Sequence, residues 1–388
     1  MSSRVCEIVD GLRGDLIALS HRIHGAPELG CEEFKAAAWQ TDLLRGHGFD
    51  VEMPYLGLDT AYRASVRVGA GAPRVAFLAE YDALAGAGHA CGHNIIAACS
   101  VGAGIALAEA AREAGVACEV VVMGTPAEET RGCKVHLVEG GAFSGVDFAL
   151  MMHPSTKNVI GRGSLAAQSL TVRYKGRAIH SAIPEKGVNA LTSLIALFNA
   201  IDALRQVWPD TGRCNGIITE GGRASNIVPD LAEGKFTVRA GKRSELERMM
   251  AGIEAAVMRS AQLTGAEVET EKSALFAERY PNSVICGRFK ANMESLGEKM
   301  YSPDPKERVG SSDIGNVSMV VPAIHDYLWI APEEVQGHTE AFREAAASPR
   351  ADEVVVLGAK GLAMTGWDLV TDGEVRAAAR REFEALEF

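Results

Sequence analysis

The chain has 388 residues, of which 47% are hydrophobic, and a formal net charge of -11. This length suits two domains better than one. The acidic balance argues against the basic footprint that nucleic acids and anionic membrane surfaces require, so we expect neither as a partner. The eight cysteines are scattered and do not make a disulfide framework, and the N-terminal segment lacks the apolar core of a signal peptide. Both observations predict a reducing, cytoplasmic location.

The first part of the chain alternates helical patterns with short apolar runs. These patterns predict helices over 4–23 and 32–47, a strand over 74–80, a helix over 94–114, a strand over 118–125, a helix over 131–141 and a strand over 147–153. Such alternation predicts a parallel or mixed sheet that is covered by helices.

The pattern changes at about residue 164. It then predicts a strand over 169–176, a helix over 187–206, strands over 214–222 and 231–240, a helix over 243–264 and a strand over 267–274. This β-α-β-β-α-β order is typical of a ferredoxin-like unit. After residue 280 another apolar run, 324–330, and a helix from about 340 to 347 follow. We therefore predict an α/β fold in which a mixed-sheet domain (1–165 plus 281–388) is interrupted by an inserted α+β domain (166–280).

Polar side chains follow three of the predicted strands. They are Glu80, Asp82, Cys91 and His93 after the first strand, Glu128 and Glu129 after the second, and His153 at the end of the third. Ligands of open α/β sheets bind outside the carboxyl ends of the strands, so we expect the three groups to meet at one site.

Five side chains are candidate metal ligands because thiolate, imidazole and carboxylate bind zinc and related ions. They are Cys91, His93, Glu129, His153 and His338. Taken alone, Cys91 is more often a small buried residue and His153 more often a core histidine. Their joint placement at strand ends favours a metal site, and a mixed set of N, O and S ligands suits a catalytic site with up to two ions.

The adjacent pair Glu128 and Glu129 allows two interpretations. One carboxylate could bind a metal ion while the other accepts a proton from water, or both could simply be solvated at the start of a helix. Other chemistries lack their motifs: no dinucleotide fingerprint, P-loop or nucleophile elbow is present in the sequence.

Seven motifs together resemble, in order, the two-metal amidohydrolases of peptidase family M-twenty. They are "HRIHGAPELGCEE", "EYDALAGAGHACGHN", "GTPAEET", "MMHP", "KGRAIHSAIPEKGVNAL", "GGRASNIVPD" and "GSSDIGNVS". The resemblance covers nearly the whole chain and is closest to subfamily D, which contains aminoacylases, auxin-conjugate amidohydrolases and p-aminobenzoyl-glutamate hydrolase. Asn94 departs from the C-G-H-D motif of many relatives, and Glu80 stands where classical members carry a histidine.

The resemblance implies a role for each matching residue. Two divalent ions, Mn²⁺ or Zn²⁺, would be held by Cys91, His93, Glu129, His153 and His338. Glu128 would be the general base, and Asp82 would orient a ligand. In the inserted domain, which would be a lid and dimerisation domain, His180 would polarise the scissile carbonyl in a neighbouring subunit, and Asn226 and Arg239 would hold a substrate carboxylate. A homodimer or higher homo-oligomer would follow.

The expected function is hydrolysis of an amide bond in a small carboxylated substrate, such as an N-acyl amino acid or an aminobenzoyl-amino acid, by attack of metal-bound water. Two alternatives remain at this point. Hydrolytic deamination of a carboxylated aromatic amine could use the same metal site. A non-catalytic metal- or ligand-binding protein on this fold is the alternative of another class, although such a protein has no need for a base at Glu128.

Overall fold

A computed structural model describes residues 2–70, 73–305, 307 and 309–388. The chain forms two compact units. The first comprises the chain up to Gly163, Tyr280–Val309 and Asn316–Phe388, and the second comprises Ser164–Arg279 and Gly310–Gly315.

Helices and strands follow one another along the whole described chain. The helices are α1 (Ser2–Gly25), α2 (Phe34–Gly46), α3 (His93–Ala114), α4 (Cys133–Glu139), α5 (Ala190–Leu204), α6 (Arg243–Thr264), α7 (Ser283–Ser295), α8 (Ile314–Ser318), α9 (Glu340–Ala345), α10 (Pro349–Thr371) and α11 (Gly373–Glu384). The strands are β1 (Asp50–Glu52), β2 (Tyr62–Val68), β3 (Arg74–Ala79), β4 (Cys118–Gly124), β5 (Phe148–Ser155), β6 (Ala166–Lys175), β7 (Arg213–Glu220), β8 (Leu231–Ala240), β9 (Glu267–Lys272) and β10 (Ala323–Trp329).

A six-stranded mixed sheet forms the centre of the first unit, with the order β1-β2-β4-β3-β5-β10. The strands β4, β3, β5 and β10 are parallel, whereas β1 and β2 join antiparallel. Ala79 at the end of β3 lies opposite Gly124 at the end of β4. The parallel strands therefore end at the same edge of the sheet, as the sequence predicts.

Helix α3 packs tightly against the sheet and against helix α1 because glycines replace side chains at its closest contacts. A Cβ atom on Gly104 would lie 2.3 Å from Val122 Cγ2, and one on Gly102 would lie 2.5 Å from Leu16 Cδ1 on α1.

By length and composition, α3, Ala190–Val207 and α10 could cross a membrane, but 94% of the apolar window of α3 is buried inside the protein.

The second unit is a four-stranded antiparallel sheet with the order β7-β8-β6-β9, against which α5 and α6 pack. This order confirms the ferredoxin-like prediction. Its core contains buried side chains from strands and helices alike, among them Leu170, Val172, Leu194, Phe236 and Ile253.

Some boundaries differ from the sequence prediction for local reasons. Helix α5 begins at Ala190 because the Asn189 side chain accepts a hydrogen bond from Thr192 N–H and caps the helix. The sequence assigned 310–315 to the first domain, but this segment packs with the second unit, where Leu165 N–H donates to Gly310 O.

Glu119 joins three strands of the central sheet through arginines. Its carboxylate lies 2.9 Å from Arg63, 2.6 Å from Arg67 and 2.9 Å from Arg74, which belong to β2 and β3. Burial alone would raise the pKa of Glu119, but the arginines Arg67, Arg74 and Arg63 lower it from 4.5 to about 2. A carboxyl group with a lowered pKa stabilises the fold above its ordinary pKa.

We expect Glu119→Gln to lower the free energy of unfolding by about 2 kcal/mol at pH 7. Because the folded-state pKa is the lower one, the difference between wild type and variant should shrink as the pH falls from 4.5 towards 2. Urea titrations of both proteins across this range measure it. A difference that grows on acidification would contradict the arginine contribution.

Candidate metal centre and active site

The predicted site residues of the first unit gather at the carboxyl ends of β3, β4 and β5. Three groups of potential ligands have donor atoms within 4.8 Å of one another: Cys91 with His93 and His153, Cys91 with Glu129 and His338, and His93 with Glu128 and Glu129. The groups share members, so they describe one continuous cluster. The structure thus brings together all six residues that the sequence singled out as ligands or base in this unit.

The C-G-H motif turns the chain from the loop after β3 into α3. Gly92 has a φ of +80° and precedes the first residue of α3, and a Cβ atom there would lie 2.6 Å from Pro154 Cγ. Only glycine satisfies both constraints. The turn therefore brings the side chains of Cys91 and His93 close to the side chain of His153.

The Asp82 carboxylate holds two members of the cluster. Its Oδ1 lies 3.0 Å from His93 Nδ1, and its Oδ2 accepts a hydrogen bond from Glu129 N–H at 3.0 Å. Because the carboxylate can only accept, His93 carries its hydrogen on Nδ1 and presents Nε2 to the cluster. This Nε2 lies 3.5 Å from Glu80 Oε2 and 3.9 Å from Glu129 Oε1.

His153 is oriented in the same way. Its Nδ1 lies 2.6 Å from the carbonyl oxygen of Pro154, which can only accept, so Nε2 is the ring nitrogen that can bind a metal ion. Cys91 Sγ lies 3.5 Å from this Nε2. The rings of His93 and His153 meet edge to face with centroids 5.8 Å apart.

His338 reaches the cluster from the segment before α9. Its N–H donates to Ala90 O, its φ is +64°, and its Nε2 lies 3.3 Å from Glu129 Oε1. The side chain is 56% exposed, whereas that of Glu129 is 9% exposed. His338 therefore stands on the solvent side of the cluster.

The electrostatics of the cluster favour a cation at its centre. Burial alone would lower the pKa of His93, but Cys91 and Asp82 raise it well above the ordinary value. Burial would raise the pKa of Glu129, but hydrogen bonding to His338 and the charge of His93 lower it. These donors therefore fit a divalent ion, which would provide the positive charge in place of protons on the imidazoles.

The loop between β4 and α4 is held by a residue to which the sequence prediction gave no role. Glu33 is fully buried; its carboxylate accepts hydrogen bonds from Ala127 N–H and from the Thr60 hydroxyl, both at 2.8 Å. Ala127 has a φ of +56° and immediately precedes Glu128. Burial raises the pKa of Glu33 to about 7, against the lowering effect of its hydrogen bonds.

Two further residues beside the cluster were also missed. The ring centroid of buried His325 lies 5.3 Å from that of His153, and fully buried Lys134 lies 2.5 Å from Glu80. His325 sits inside an apolar run, so the pattern predicts a strand there and does not distinguish its ring from the core side chains. Lys134 follows a cysteine in a short helical pattern that allows either exposure or burial.

The second unit contains the remaining predicted residues. His180 and Asn226 lie on neighbouring segments, because Ser181 N–H donates to Asn226 O and His180 bridges to Ile227. His180 Nδ1 accepts a hydrogen bond from Ala182 N–H, which leaves the ring hydrogen of the neutral form on Nε2. Arg239 lies on β8 and donates to Ser311 Oγ at 2.7 Å.

Comparisons with known proteins find relatives over nearly the whole chain. Residues 162–262 match the family model described as the peptidase dimerisation domain. The chain is 38% identical over 404 residues to the Xaa-Arg dipeptidase of Mus musculus, covering 99% of this chain and 92% of that protein. It is 28% identical over 287 residues to one of the polypeptides of the p-aminobenzoyl-glutamate hydrolase of Escherichia coli K12, covering 69% of this chain and 59% of that protein.

Solved structures share the fold at low sequence identity. A dinuclear metal-binding peptidase of the M-twenty family from Bacillus subtilis aligns with a TM-score of 0.66 and 19% identity, covering 92% of this chain and 98% of that one. An aminobenzoyl-glutamate utilization protein from Klebsiella pneumoniae aligns with a TM-score of 0.69 and 17% identity, covering 91% and 98%. The chain is also 38% identical to a dipeptidase over nearly the full length of both proteins. It therefore belongs to the M-twenty family of metal-dependent amidohydrolases.

Proposed function

We propose that this protein hydrolyses the amide bond of dipeptides or N-acyl amino acids that carry a free carboxylate, with two zinc or manganese ions held by Cys91, His93, Glu129, His153 and His338. The observation that carries the proposal is the donor cluster with a second carboxylate, Glu128, beside the ligand Glu129. A protein that only bound metal would not need that second carboxylate.

The ions would supply Lewis-acid chemistry, since a divalent cation polarises a carbonyl and lowers the pKa of water to about 7. Glu128 accepts the proton of the attacking water and returns it to the departing amine. Asp82 keeps His93 in the tautomer that leaves Nε2 available, and through Glu129 N–H it also positions the next ligand.

The second unit would provide substrate contacts. His180 carries a hydrogen on Nε2 when neutral, which suits donation to the carbonyl oxygen as negative charge develops there. Arg239 is the candidate for the substrate carboxylate because guanidinium binds carboxylates in a fixed, forked geometry, and Asn226 offers an additional amide donor. These three roles rest on the motif resemblance.

The substrate class is testable with a small panel. Relatives are named for Xaa-Arg dipeptides and for p-aminobenzoyl-glutamate, and both contain an amide next to a free carboxylate. The panel contains dipeptides ending in arginine or glutamate, N-acyl amino acids, and the C-terminal amides of all of these. It separates the contributions of the side chain and of the free carboxylate to substrate recognition. Hydrolysis of the acids but not of the matched amides is the expected pattern.

We expect Glu128→Gln to lower kcat by about 10²- to 10⁴-fold, because the side chain keeps its size but cannot accept a proton. Bound metal, measured by elemental analysis, should stay at the wild-type level. Glu139→Gln, at the exposed last residue of α4, is the matched control and should leave kcat unchanged.

Product analysis of the same reactions distinguishes the rival chemistry. Amide cleavage releases an acid and an amine, whereas deamination of an aromatic ring releases ammonia and a phenol. If the protein releases ammonia from a carboxylated aromatic amine and leaves dipeptides intact, deamination replaces amide hydrolysis as its function. Full turnover by Glu128→Gln would remove this residue from the mechanism.

Glu33 should affect turnover through the position of Glu128. In Glu33→Ala the Ala127 N–H loses its acceptor, so the loop relaxes and we expect kcat to fall about 10- to 100-fold at nearly unchanged KM. Glu33→Gln should recover most of the activity, because its amide oxygen can still accept from Ala127. Steady-state kinetics with the exposed neighbour Glu32→Ala as control measures the effect; equal losses for Ala and Gln would contradict it.

We also propose that the second unit forms a homodimer through β7 and α5. Strand β7 is an edge of its sheet and exposes Ile217 (62%) and Ile218 (47%), and Ile195 on α5 is 48% exposed. The opposite edge, β9, carries the sequence EVETEK, whose charges discourage pairing. An apolar, unpaired edge strand favours pairing with a second copy, in keeping with a domain described as a dimerisation domain.

Ile217→Lys combined with Ile218→Lys should convert the dimer to a monomer, because the substitution places two charges in the interface. Light scattering after gel filtration reports the mass at several concentrations. Met258→Lys, which changes an exposed apolar residue of α6, is the control and should remain dimeric. A dimer that survives the double substitution would place the interface elsewhere.

A further inference from the structure

Two cysteines from distant parts of the chain meet beside the loop that carries Glu128. Cys31 lies 102 residues before Cys133 in the chain, and their Sγ atoms are 3.9 Å apart. Both are thiols in this structure. Cys133 is 3% exposed and begins α4, whereas Cys31 is partly exposed. The sulfur of Cys31 is therefore the one that a reagent in solution reaches first.

The backbone at Cys31 has a conformation that favours glycine. Glu32 N–H donates to Leu29 O at 2.8 Å and closes a tight turn, in which Cys31 has a φ of +68°. A positive φ at the third residue of a turn strains any residue with a Cβ atom, so glycine is preferred there. Strained residues of this kind cluster at functional sites. The structure thus holds a thiol in a strained turn, within contact distance of a second thiol.

The turn that contains Cys31 packs against the loop between β4 and α4. A Cβ atom on Gly30 would lie 2.3 Å from Thr130 Oγ1 and 2.9 Å from the Cβ atom of Ala127, so the two segments touch at this point. Two residues beyond Cys31, the Glu33 carboxylate accepts a hydrogen bond from Ala127 N–H. Contacts on both sides of Cys31 therefore fix its position relative to the loop.

The same loop connects Cys133 to the proposed base. Three consecutive backbone N–H groups, those of residues 130–132, donate to the carbonyl oxygen of Ala127. Ala127 immediately precedes Glu128, and residue 132 immediately precedes Cys133. A displacement of Cys133 is therefore transmitted through a compact turn to the peptide that positions Glu128.

We propose that Cys31 and Cys133 are a redox switch, which forms a reversible disulfide bond that lowers the turnover of the metal centre. A disulfide bond is about 2.05 Å long, so the two sulfur atoms must approach by about 1.9 Å. Because Cys133 is tied to the loop, part of this movement displaces Glu128, and a misplacement of about 1 Å lowers a rate by up to about 10²-fold. The effect on turnover rests on the proposed function, whereas the formation of the disulfide does not.

The oxidant of the switch is a small disulfide such as oxidised glutathione. The Cys31 thiolate attacks one sulfur of this disulfide, and a glutathione thiolate leaves. The Cys133 thiolate then attacks Cys31 Sγ, breaks the mixed disulfide and releases the second glutathione thiolate. Each cysteine loses one proton, and the two electrons from the cysteines reduce one oxidised glutathione to two thiols. Excess thiol reverses both steps, as it does for the transient disulfides of reducing compartments.

Glutathione buffers of graded composition test the switch on the intact, metal-loaded protein. The remaining thiols are blocked, and mass spectrometry of proteolytic peptides should show Cys31 linked to Cys133 as the share of oxidised glutathione rises. We expect kcat to fall about 10- to 100-fold in parallel and to recover with dithiothreitol. Bound metal, measured by elemental analysis, should stay constant throughout.

Three variants separate this pair from the other cysteines. Cys31→Gly removes one thiol and suits the positive φ of its turn, so it should fold, keep the wild-type kcat under reducing conditions and lose the sensitivity to oxidised glutathione. Cys133→Ala should lose the sensitivity as well. Cys6→Ser, which changes another partly exposed cysteine on α1, is the matched control and should remain sensitive.

The inference is overturned if no linked Cys31–Cys133 peptide forms, or if it forms while kcat stays at the reduced level. Inactivation that persists in Cys31→Gly also overturns it, because a different thiol, such as Cys91, would then be responsible. Reduced wild-type protein that hydrolyses no member of the substrate panel would instead overturn the proposed function. The linked peptide is still measurable in that case, so the two failures are distinguishable.

Discussion

The donor cluster depends above all on the Asp82 carboxylate. One of its oxygens fixes the ring of His93, and the other accepts the backbone N–H of Glu129, so a single buried side chain ties the loop after β3 to the loop after β4. The burial of Asp82 makes these hydrogen bonds strong and their loss costly. The positions of His93 and Glu129 are therefore linked through one side chain.

The surroundings of the cluster show how charged and polar groups are kept beneath an active site. Glu33 supports the peptide before Glu128, and the Tyr81 hydroxyl donates to the carbonyl oxygen of Thr60, the residue whose own hydroxyl binds Glu33. Each of these buried acceptors therefore meets a donor, as burial requires. Such a network restrains the loop between β4 and α4 while leaving the Glu128 side chain partly accessible.

The donors of the candidate metal centre and the residues proposed for substrate contacts lie in different units. The first unit holds most of the donors at the carboxyl ends of the parallel strands of its mixed sheet, and His338 lies beside them on the segment before α9. The second unit presents His180, Asn226 and an unpaired apolar edge strand on a small antiparallel sheet.

The sequence alone predicts the order of the strands that carry ligands, because β3, β4 and β5 are apolar runs that polar residues follow. It also determined β8 and α6 to the residue, since their periodicity is strong and turns flank them. It did not predict β2, because the arginines in YRASVRV are typical of an exposed segment. In the structure these arginines pair with Glu119, which is 52 or more residues away in the chain.

Which polar residues are buried together depends on the tertiary fold. Glu33 lies 94 residues from Ala127, and Glu80 lies 54 residues from Lys134, so local patterns contain no sign of either contact. Local periodicity reports which face of a helix or strand is apolar, but it cannot report which distant partner neutralises a buried charge. That choice is made when the chain folds, because a buried polar group is stable only beside its partner.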